Sequence, residues 1–156
     1  MNKDFTATML VDKTPEEVFN AINNVSGWWS QDFHGHSQKL NDEFTVQFAD
    51  MHFTRHRVTE LVPGKKIVWL VTESNLSFIK DVEEWKGTEN IFEIAKEGDK
   101  TRINFTHKGL VPEVECYNDC NKGWNYFLNE SLLPFINTGK GHPDLPASMD
   151  KVTASK

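Results

Sequence analysis

Basic residues, cysteine and long apolar runs are all scarce in this sequence of 156 residues. Its 17 lysine and arginine residues are outnumbered by 23 aspartate and glutamate residues, which gives a net charge of −6 at pH 7. Nucleic-acid interfaces need a basic surface and anionic membranes attract polybasic segments, so this balance argues against both kinds of partner. Because no run of eighteen apolar residues occurs, no transmembrane helix is predicted.

Targeting and catalytic motifs are missing as well. The N-terminus, MNKDFTATML, lacks the basic-then-apolar order of a signal peptide, so we expect a cytoplasmic protein. The sequence has no glycine-rich phosphate loop, no nucleophile elbow and no His-Glu-x-x-His pattern. We therefore assign no catalytic residue, no metal and no cofactor, and enzymatic activity is not predicted.

The two cysteines, Cys116 and Cys120, lie four residues apart on a predicted helix. A disulfide between them would close a very short loop and stabilise little, and two thiols are too few for a structural zinc site. We expect free thiols. A redox role is the alternative, because a helix N-terminus lowers the pKa of a thiol.

Large aromatic side chains are abundant. Eleven phenylalanines and five tryptophans stand against two tyrosines, so the interior should be bulky enough to enclose an irregular pocket. The length fits one domain, which we place at residues 1–141, followed by a tail at residues 142–156 that has little to bury.

The first elements have clear signals. Alternation from Phe5 to Val11 predicts a strand. Thr14-Pro15-Glu16-Glu17 then predicts a capping box, with proline at the first helical position. We expect Gly27 to end the helix that follows, and we expect a short helix or loop over residues 26–41.

The middle of the chain alternates at the period of a strand, and the end has the period of a helix. Apolar alternation predicts strands near residues 44–48, 53–61, 67–71, 90–94 and 103–107. Residues 112–138 predict one long helix, in which Pro134 should bend or end the last turn and after which Gly139 stops it. Short links favour an antiparallel sheet, so we predict an α+β fold in which a curved sheet wraps around this C-terminal helix.

Several segments together resemble a known family. They are Trp28-Trp29, HRVTELVPGKKIVWLV from His56, TENIFEIAKEGDKTRINFTHKGL from Thr88 and GWNYFLNESL from Gly123. In order and spacing they resemble the AHSA1-like family, named after the activator of the Hsp90 ATPase, within the START-like or Bet v 1-like superfamily. The resemblance covers about residues 5–140 and implies a helix-grip fold with an internal hydrophobic cavity. Members of the wider superfamily bind lipids, sterols or polyketides there, and some catalyse cyclisation or dehydration.

Two positions depart from the family pattern. Asn41-Asp42-Glu43 stands where members commonly carry paired glycines, and Asn90 stands where an apolar residue is usual. We also expect the domain to stand alone, without the additional N-terminal domain that eukaryotic Hsp90 activators use, so an Hsp90 role does not transfer directly.

The histidines allow two interpretations. His34 and His36 are two residues apart and His52 and His56 four apart, so each pair should share one face of a strand. Imidazole binds Zn, Cu or Ni, but no third ligand is evident, so we favour separate histidines over a metal site. His107 follows Ile103 and Phe105 on an inward face, where it could anchor a polar group or bond to a backbone carbonyl.

These patterns define a candidate ligand site between the sheet and the C-terminal helix. Its polar anchors would be His107, Asn90 and Ser131, with Arg55 if that side chain points inward. Ser131 faces a ligand or bonds back to its own helix, and in the first case Ser131→Leu should abolish binding while the fold persists. The full set of candidates is Trp28, Trp29, Phe44, Phe48, Arg55, Trp69, Asn90, Phe92, Phe105, His107, Trp124, Phe127, Leu128 and Ser131.

The sequence therefore predicts a monomer or homodimer that binds a small, mostly apolar molecule, lipid-like or aromatic. One alternative is a protein-interaction module that works with a chaperone. Another is an enzyme of the polyketide cyclase kind, which would need a polar pair within reach of its substrate.

Overall fold

The computed structural model describes residues 4–48, 52–76, 85–111 and 117–143, with side chains from residue 121 onward in the last range. It confirms the predicted α+β class, because seven antiparallel strands form one sheet and a C-terminal helix packs on it. The strands are β1 (Phe5–Val11), β2 (Asp32–Gly35), β3 (Glu43–Phe48), β4 (His52–Val62), β5 (Lys66–Leu76), β6 (Glu89–Glu97) and β7 (Lys100–Lys108). The helices are α1 (Pro15–Asn23), α2 (Val25–Trp28), α3 (Tyr117–Tyr126), a π-helical turn (Phe127–Leu132) and α4 (Leu133–Thr138).

The sheet runs β1-β7-β6-β5-β4-β3-β2, and every neighbouring pair is antiparallel. One row of paired residues crosses four central strands: Val58 pairs with Trp69, Trp69 with Asn90, and Asn90 with His107. Because residues opposite each other share a face, these side chains all lie on the inner side of the sheet. The functional residues described below come from this row and its neighbours.

The first strand and helix form as their sequence predicts. Along β1, Phe5, Met9 and Val11 are buried and the residues between them are more exposed. The Thr14 hydroxyl accepts a hydrogen bond from the Glu17 N–H (3.1 Å), and the Glu17 carboxylate accepts one from the Thr14 N–H (3.0 Å). This reciprocal pair satisfies donors at the start of α1 that have no partner within the helix.

Two predictions for the following segment were wrong. Gly27 does not end α1, which stops at Asn23; Gly27 lies inside α2. A Cβ at this position would lie 2.5 Å from Cζ of Phe135, so the glycine is needed for close packing of α2 on α4. The predicted connector also contains β2, an edge strand that pairs with β3. The short run Phe33-His34-Gly35 has no alternation that would predict a strand.

The structure accounts for the missing paired glycines before β3. Asn41 has a φ of 71°, the left-handed conformation that asparagine tolerates better than most residues. Its N–H bonds to the Val58 carbonyl at 2.8 Å, and the Val58 N–H bonds to the Asp42 carbonyl at 2.9 Å. The turn is therefore fixed to β4 without a glycine.

The C-terminal helix, residues 117–138, continues through Pro134 and does not end there. A π-helical turn, Phe127–Leu132, stands immediately before α4, and the Leu133 N–H bonds to the Leu128 carbonyl five residues back. Pro134 has no N–H and its ring crowds the carbonyl four residues back, so the wider turn changes the hydrogen-bond ladder where proline disrupts it. Gly139, with a φ of 83°, ends the helix as predicted.

Candidate functional site

Tryptophan rings fill the space between the sheet and the C-terminal helix. Trp29 stacks on Trp69 of β5 and on Trp124 of α3, with ring centroids 6.0 and 5.1 Å apart. Trp124 also stacks on Trp85, and the planes of those two rings differ by 7°. The loop after α1, the sheet and the C-terminal helix therefore meet in one layer of nearly parallel rings.

The structure buries nearly all the predicted ligand-contacting residues. All except Arg55 are buried, with side chains at most 5 % exposed. The buried members are Trp28, Trp29, Phe44, Phe48, Trp69, Asn90, Phe92, Phe105, His107, Trp124, Phe127, Leu128 and Ser131. Their burial is established, whereas contact with a ligand stays a prediction.

Arg55 does not point inward. On β4, Thr54, His56 and Val58 are buried, so the residues that alternate with them face outward. Arg55 forms an ion pair with Glu73 at 3.0 Å, and its side chain is 43 % exposed. An arginine on the inner face would have needed a buried partner for its charge, and the proposed role of Arg55 as an anchor is wrong.

His107 is held in one tautomer by neighbours on both sides of its ring. The Trp124 indole N–H donates to Nδ1 at 3.0 Å. The Thr88 hydroxyl lies 2.8 Å from Nε2 and donates its own proton to the Trp85 carbonyl at 2.5 Å. Since Thr88 is already a donor, it accepts from His107, so the proton of the imidazole is on Nε2.

This arrangement keeps His107 neutral. A second proton on Nδ1 would face the Trp124 N–H, and two donors cannot bond to each other. Burial, together with the nearby imidazole of His52, lowers the pKa of His107 to about 3. His107 thus joins α3, β7 and the segment that carries Trp85 and Thr88. Its predicted inward position is confirmed.

Two further histidines share a hydroxyl on β4. The Thr54 hydroxyl lies 2.8 Å from Nε2 of His56 and 3.3 Å from Nε2 of His52. Burial lowers the pKa of His52 to about 3, and burial together with the other two imidazoles lowers the pKa of His56 well below its usual value. His52 and His56 therefore do share one face, as their spacing predicts.

The other histidine pair lies elsewhere. His34 is exposed on β2 and bonds to Asp32 at 2.9 Å, and His36 is also exposed. Within the ranges that the structure describes, no group of three His, Cys, Asp or Glu side chains could hold a metal ion. Cys116 and the side chain of Cys120 lie outside the described residues.

Three buried side chains on the inner face carry polar atoms that have no hydrogen-bond partner among the described residues. Neither Nδ2 nor Oδ1 of Asn90 has a partner in the described part of the chain, although the residue is fully buried. The same holds for Nε1 of Trp69, the cross-strand neighbour of Asn90, and for Nδ1 of His56. Buried polar atoms nearly always form hydrogen bonds, so these unpartnered atoms are unusual. We refer to Asn90, Trp69 and His56 as the polar cluster.

Ser131 is buried but fully engaged. Its hydroxyl donates to the Trp28 carbonyl at 2.5 Å and accepts from the His142 N–H at 2.8 Å. Neither sequence interpretation was right, since Ser131 bonds neither to its own helix nor toward the aromatic layer. It ties α2 and residues 139–143 to the C-terminal helix. Its role as a ligand anchor has no geometric support.

Sequence reasoning missed Thr54, Trp85 and Thr88, and it treated His52 and His56 only as possible metal ligands. For β4 a signal existed, because His52, Thr54, His56 and Val58 alternate at the period of a strand. The bulky Phe53 and the two arginines obscured it. Trp85 and Thr88 had no such signal, since they follow β5 in a segment without clear periodicity.

The family model for "Activator of Hsp90 ATPase homolog 1-like protein" matches residues 12–133. The chain belongs to this AHSA1-like family. The predicted recognition is thereby confirmed. A search of curated proteins finds no match.

Solved structures support the AHSA1-like fold. The Aha1 dimer from Colwellia psychrerythraea is 23% identical with a TM-score of 0.72, and the match covers 88% of this chain and 98% of that one. Protein SSP2350 from Staphylococcus saprophyticus is 16% identical with a TM-score of 0.68, covering 91% and 97%. CalU16 from Micromonospora echinospora is 16% identical with a TM-score of 0.62, covering 96% and 81%. At these identities the likeness establishes the fold alone.

Two further features of this AHSA1-like chain concern its helices and its surface. None of the helices in the described ranges is long and apolar enough to cross a membrane. A pocket of about 300 Å³ lies along β4 and β5, lined by Phe53, Glu73, Ser74, Asn75 and Lys86. This pocket is polar and lies beside the Arg55–Glu73 ion pair, so it is separate from the aromatic layer.

Proposed function

We propose that this AHSA1-like protein binds a small, mostly apolar ligand between the inner face of its sheet and the C-terminal helix. The observation that carries the proposal is the polar cluster, because its four unpartnered atoms are buried among aromatic rings. A protein gains nothing in stability from such groups, so their presence favours a bound partner.

The surroundings of the polar cluster have the composition of a small-molecule site. Such sites are largely aromatic and apolar, with few polar groups that orient the ligand. Trp29, Trp69 and Trp124 supply flat apolar surface, and Asn90 supplies both a donor and an acceptor. The family adds support, since AHSA1-like and related folds commonly bind hydrophobic ligands.

A library of aromatic and lipid-like compounds tests this proposal. Binding should raise the melting temperature and change the fluorescence of the stacked tryptophans. Trp29→Leu removes a wall of the aromatic layer and should weaken every hit. Leu10→Ala, on an exposed position of β1, is the matched control and should bind as the unaltered protein does. If no compound shifts either signal, the proposal fails.

A chaperone-related role is the second candidate, and the description of the family model is the observation that favours it. Such a role needs an exposed apolar surface. Within the described ranges, the large apolar side chains that are exposed are Leu10, Leu40 and Val62, on three different segments. Addition of the purified protein to an Hsp90-type chaperone, with the rate of ATP hydrolysis as the readout, tests this role directly; an unchanged rate argues against it.

The enzymatic alternative would need an acid–base pair within reach of a substrate. The buried polar side chains of the described residues include histidines, hydroxyls and amides but no carboxylate. The oligomeric state, monomer or homodimer, stays a prediction, and light scattering of the purified chain measures it. The cytoplasmic location also stays a prediction.

A further inference from the structure

We infer that the ligand of this site is an uncharged, flat aromatic molecule whose polar group carries both a hydrogen-bond donor and an acceptor, as a carboxamide does, and that Asn90, Trp69 and His56 receive that group. This inference rests on the proposed function and narrows it from apolar ligands in general to one chemical class. No charged headgroup and no purely hydrocarbon ligand satisfies the same residues.

Asn90 determines the kind of polar group. Its amide offers two N–H donors on one atom and an acceptor on the other, and neither atom has a partner in the ranges described. Exchanging the two atoms leaves both still unpartnered, so the argument does not depend on the orientation of the amide. Only a group with a donor beside an acceptor satisfies both ends at once, and a carboxamide can pair with Asn90 through two hydrogen bonds.

Trp69 and His56 lie where the same group can reach them. Trp69 and Asn90 are directly paired across β5 and β6, so their Cβ atoms are about 5 Å apart. The Trp69 N–H can therefore donate to the second lone pair of a carbonyl bound by Asn90. The His56 ring centroid lies 6.1 Å from that of Trp69, and its unpartnered Nδ1 is on the same inner face.

The surroundings favour an uncharged group. In the described part of the chain, no buried lysine, arginine, aspartate or glutamate side chain faces the inner side of the sheet. The nearby histidines are neutral, because His107 is fixed in one tautomer by Trp124 and Thr88 and because burial lowers all three pKa values. A carboxylate or ammonium group would therefore be buried without a counter-charge, which is strongly unfavourable.

The ring geometry indicates the shape of the remainder. The planes of Trp29 and Trp69 differ by 10°, those of Trp28 and Trp69 by 19°, and those of Trp29 and Trp124 by 26°. Nearly parallel rings stack on another flat ring and contact a branched aliphatic chain less well. An aromatic ligand therefore extends the existing stack.

Four naphthalene derivatives, substituted at the same ring position, test the inference: naphthamide, naphthoate, acetylnaphthalene and isopropenylnaphthalene. They share one flat ring system and differ in the polar group. Titration at pH 7, followed by tryptophan fluorescence, should rank naphthamide tightest, at least about 10-fold tighter than isopropenylnaphthalene, because it alone satisfies both atoms of Asn90. Acetylnaphthalene should lie between them, and naphthoate should bind weakest.

Two variants locate the effect. Asn90→Leu has a similar volume and no polar atom, so it should remove the preference for naphthamide over isopropenylnaphthalene while leaving the latter bound. Trp69→Phe removes only the indole N–H and part of the ring, and should reduce the same preference. In ¹H–¹⁵N spectra, the indole signal that disappears in Trp69→Phe should be the one that naphthamide shifts most in the unaltered protein.

The outcomes separate this inference from the proposed function. If all four compounds bind equally, or if Asn90→Leu keeps the preference for naphthamide, the polar group is not recognised here and only this inference is overturned. If the polar cluster holds ordered water alone, naphthamide will gain nothing over isopropenylnaphthalene, with the same consequence. If none of the four binds while another compound of the aromatic and lipid-like library does, this inference alone is overturned; the proposed function falls only if no compound of that library binds.

Discussion

At the scale of single residues, Asn90 leaves more hydrogen-bonding capacity unused than a buried side chain normally does. Leucine has nearly the same volume and no polar atom. We expect Asn90→Leu to stabilise the ligand-free protein by about 1–3 kcal/mol, because it removes two unsatisfied atoms. Urea unfolding measures this change, with the outward-facing Ile91→Leu as control. A large loss of stability would instead show that Asn90 is satisfied within the fold.

Substitution of His107, unlike that of Asn90, should destabilise the protein. His107→Phe keeps the ring contacts with Trp85 and Trp124 but leaves the Trp124 N–H and the Thr88 hydroxyl with fewer partners. We expect a loss of about 2–4 kcal/mol in the free energy of unfolding. Lys108→Gln, exposed at the next position, should change little. Equal stability of both variants would refute the hydrogen-bond chain.

We expect substitution of Ser131 to change the stability of the protein and to leave its ligand preference unchanged. Ser131→Ala removes one bond to the Trp28 carbonyl and one from the His142 N–H, at a cost of about 1–3 kcal/mol. Asn129→Ala, exposed in the same π-helical turn, is the control. Thermal unfolding compares them, and weaker binding by a fully stable Ser131→Ala protein would restore the original ligand-contact interpretation.

At the scale of elements, residues 139–143 pack against α2 through glycines. A Cβ on Gly141 would lie 2.5 Å from the Gly27 carbonyl oxygen, which is backbone and cannot move aside easily. Gly141→Ala should therefore destabilise the protein by about 1–3 kcal/mol through overpacking.

Gly123→Ala is the matched control for Gly141→Ala. Nothing lies within 4 Å of a Cβ there, and the residue is inside α3. This substitution should stabilise by about 0.5–1 kcal/mol, because alanine favours helix over glycine. If both glycine substitutions change the midpoint of urea unfolding in the same direction, the packing argument is wrong.

How far each element could be predicted depended on the strength of its local signal. The capping box at Thr14 and the alternation of β1 involve neighbours in sequence, so they were predictable and are confirmed. The edge strand β2 was not, because it depends on pairing with β3. The π-helical turn was not either, because Pro134 signals a disruption of the helix but not how the helix continues past it. Gly27 was wrongly predicted to end α1, because a glycine at this position allows close contact with Phe135.

The same limit applies to the site. Alternation placed Asn90 and His107 on the inner face correctly, because a strand has a fixed period. The partners of His107 come from α3 and from Thr88, 19 residues away, and only the fold brings them together. The face of Arg55 was left open by the sequence, and Arg55 lies on the outer face because the inner set of β4 begins at His52.

At the scale of the whole molecule, the two buried histidines, His56 and His107, and the partly buried His52 should make the fold sensitive to acid. A histidine in the unfolded chain has a pKa near 6.5, whereas the pKa values of His52 and His107 are lowered to about 3 and that of His56 is lowered well below the usual value. Below about pH 6.5 the unfolded chain therefore binds protons that the folded chain does not. Stability is fully present above that pH and falls as the pH drops toward the folded values.

The expected slope is about 1.4 kcal/mol per pH unit for each such histidine, so up to about 4 kcal/mol per unit for three. Urea unfolding between pH 7 and pH 5, above the range where most carboxylates titrate, measures it. His107→Phe should lower the slope by about a third. A stability that is constant over this range would contradict the neutral state of the three side chains.

We expect the sheet and the C-terminal helix to enclose a ligand whose polar group is hydrogen-bonded to Asn90. A crystal structure of the protein soaked with naphthamide tests this most directly. We predict electron density for the flat ring in the tryptophan layer, with its carboxamide hydrogen-bonded to Asn90 and its carbonyl near the Trp69 N–H. Asn90 bonded only to ordered water or to the protein itself, with the rings closed over it and no naphthamide present, would contradict the account.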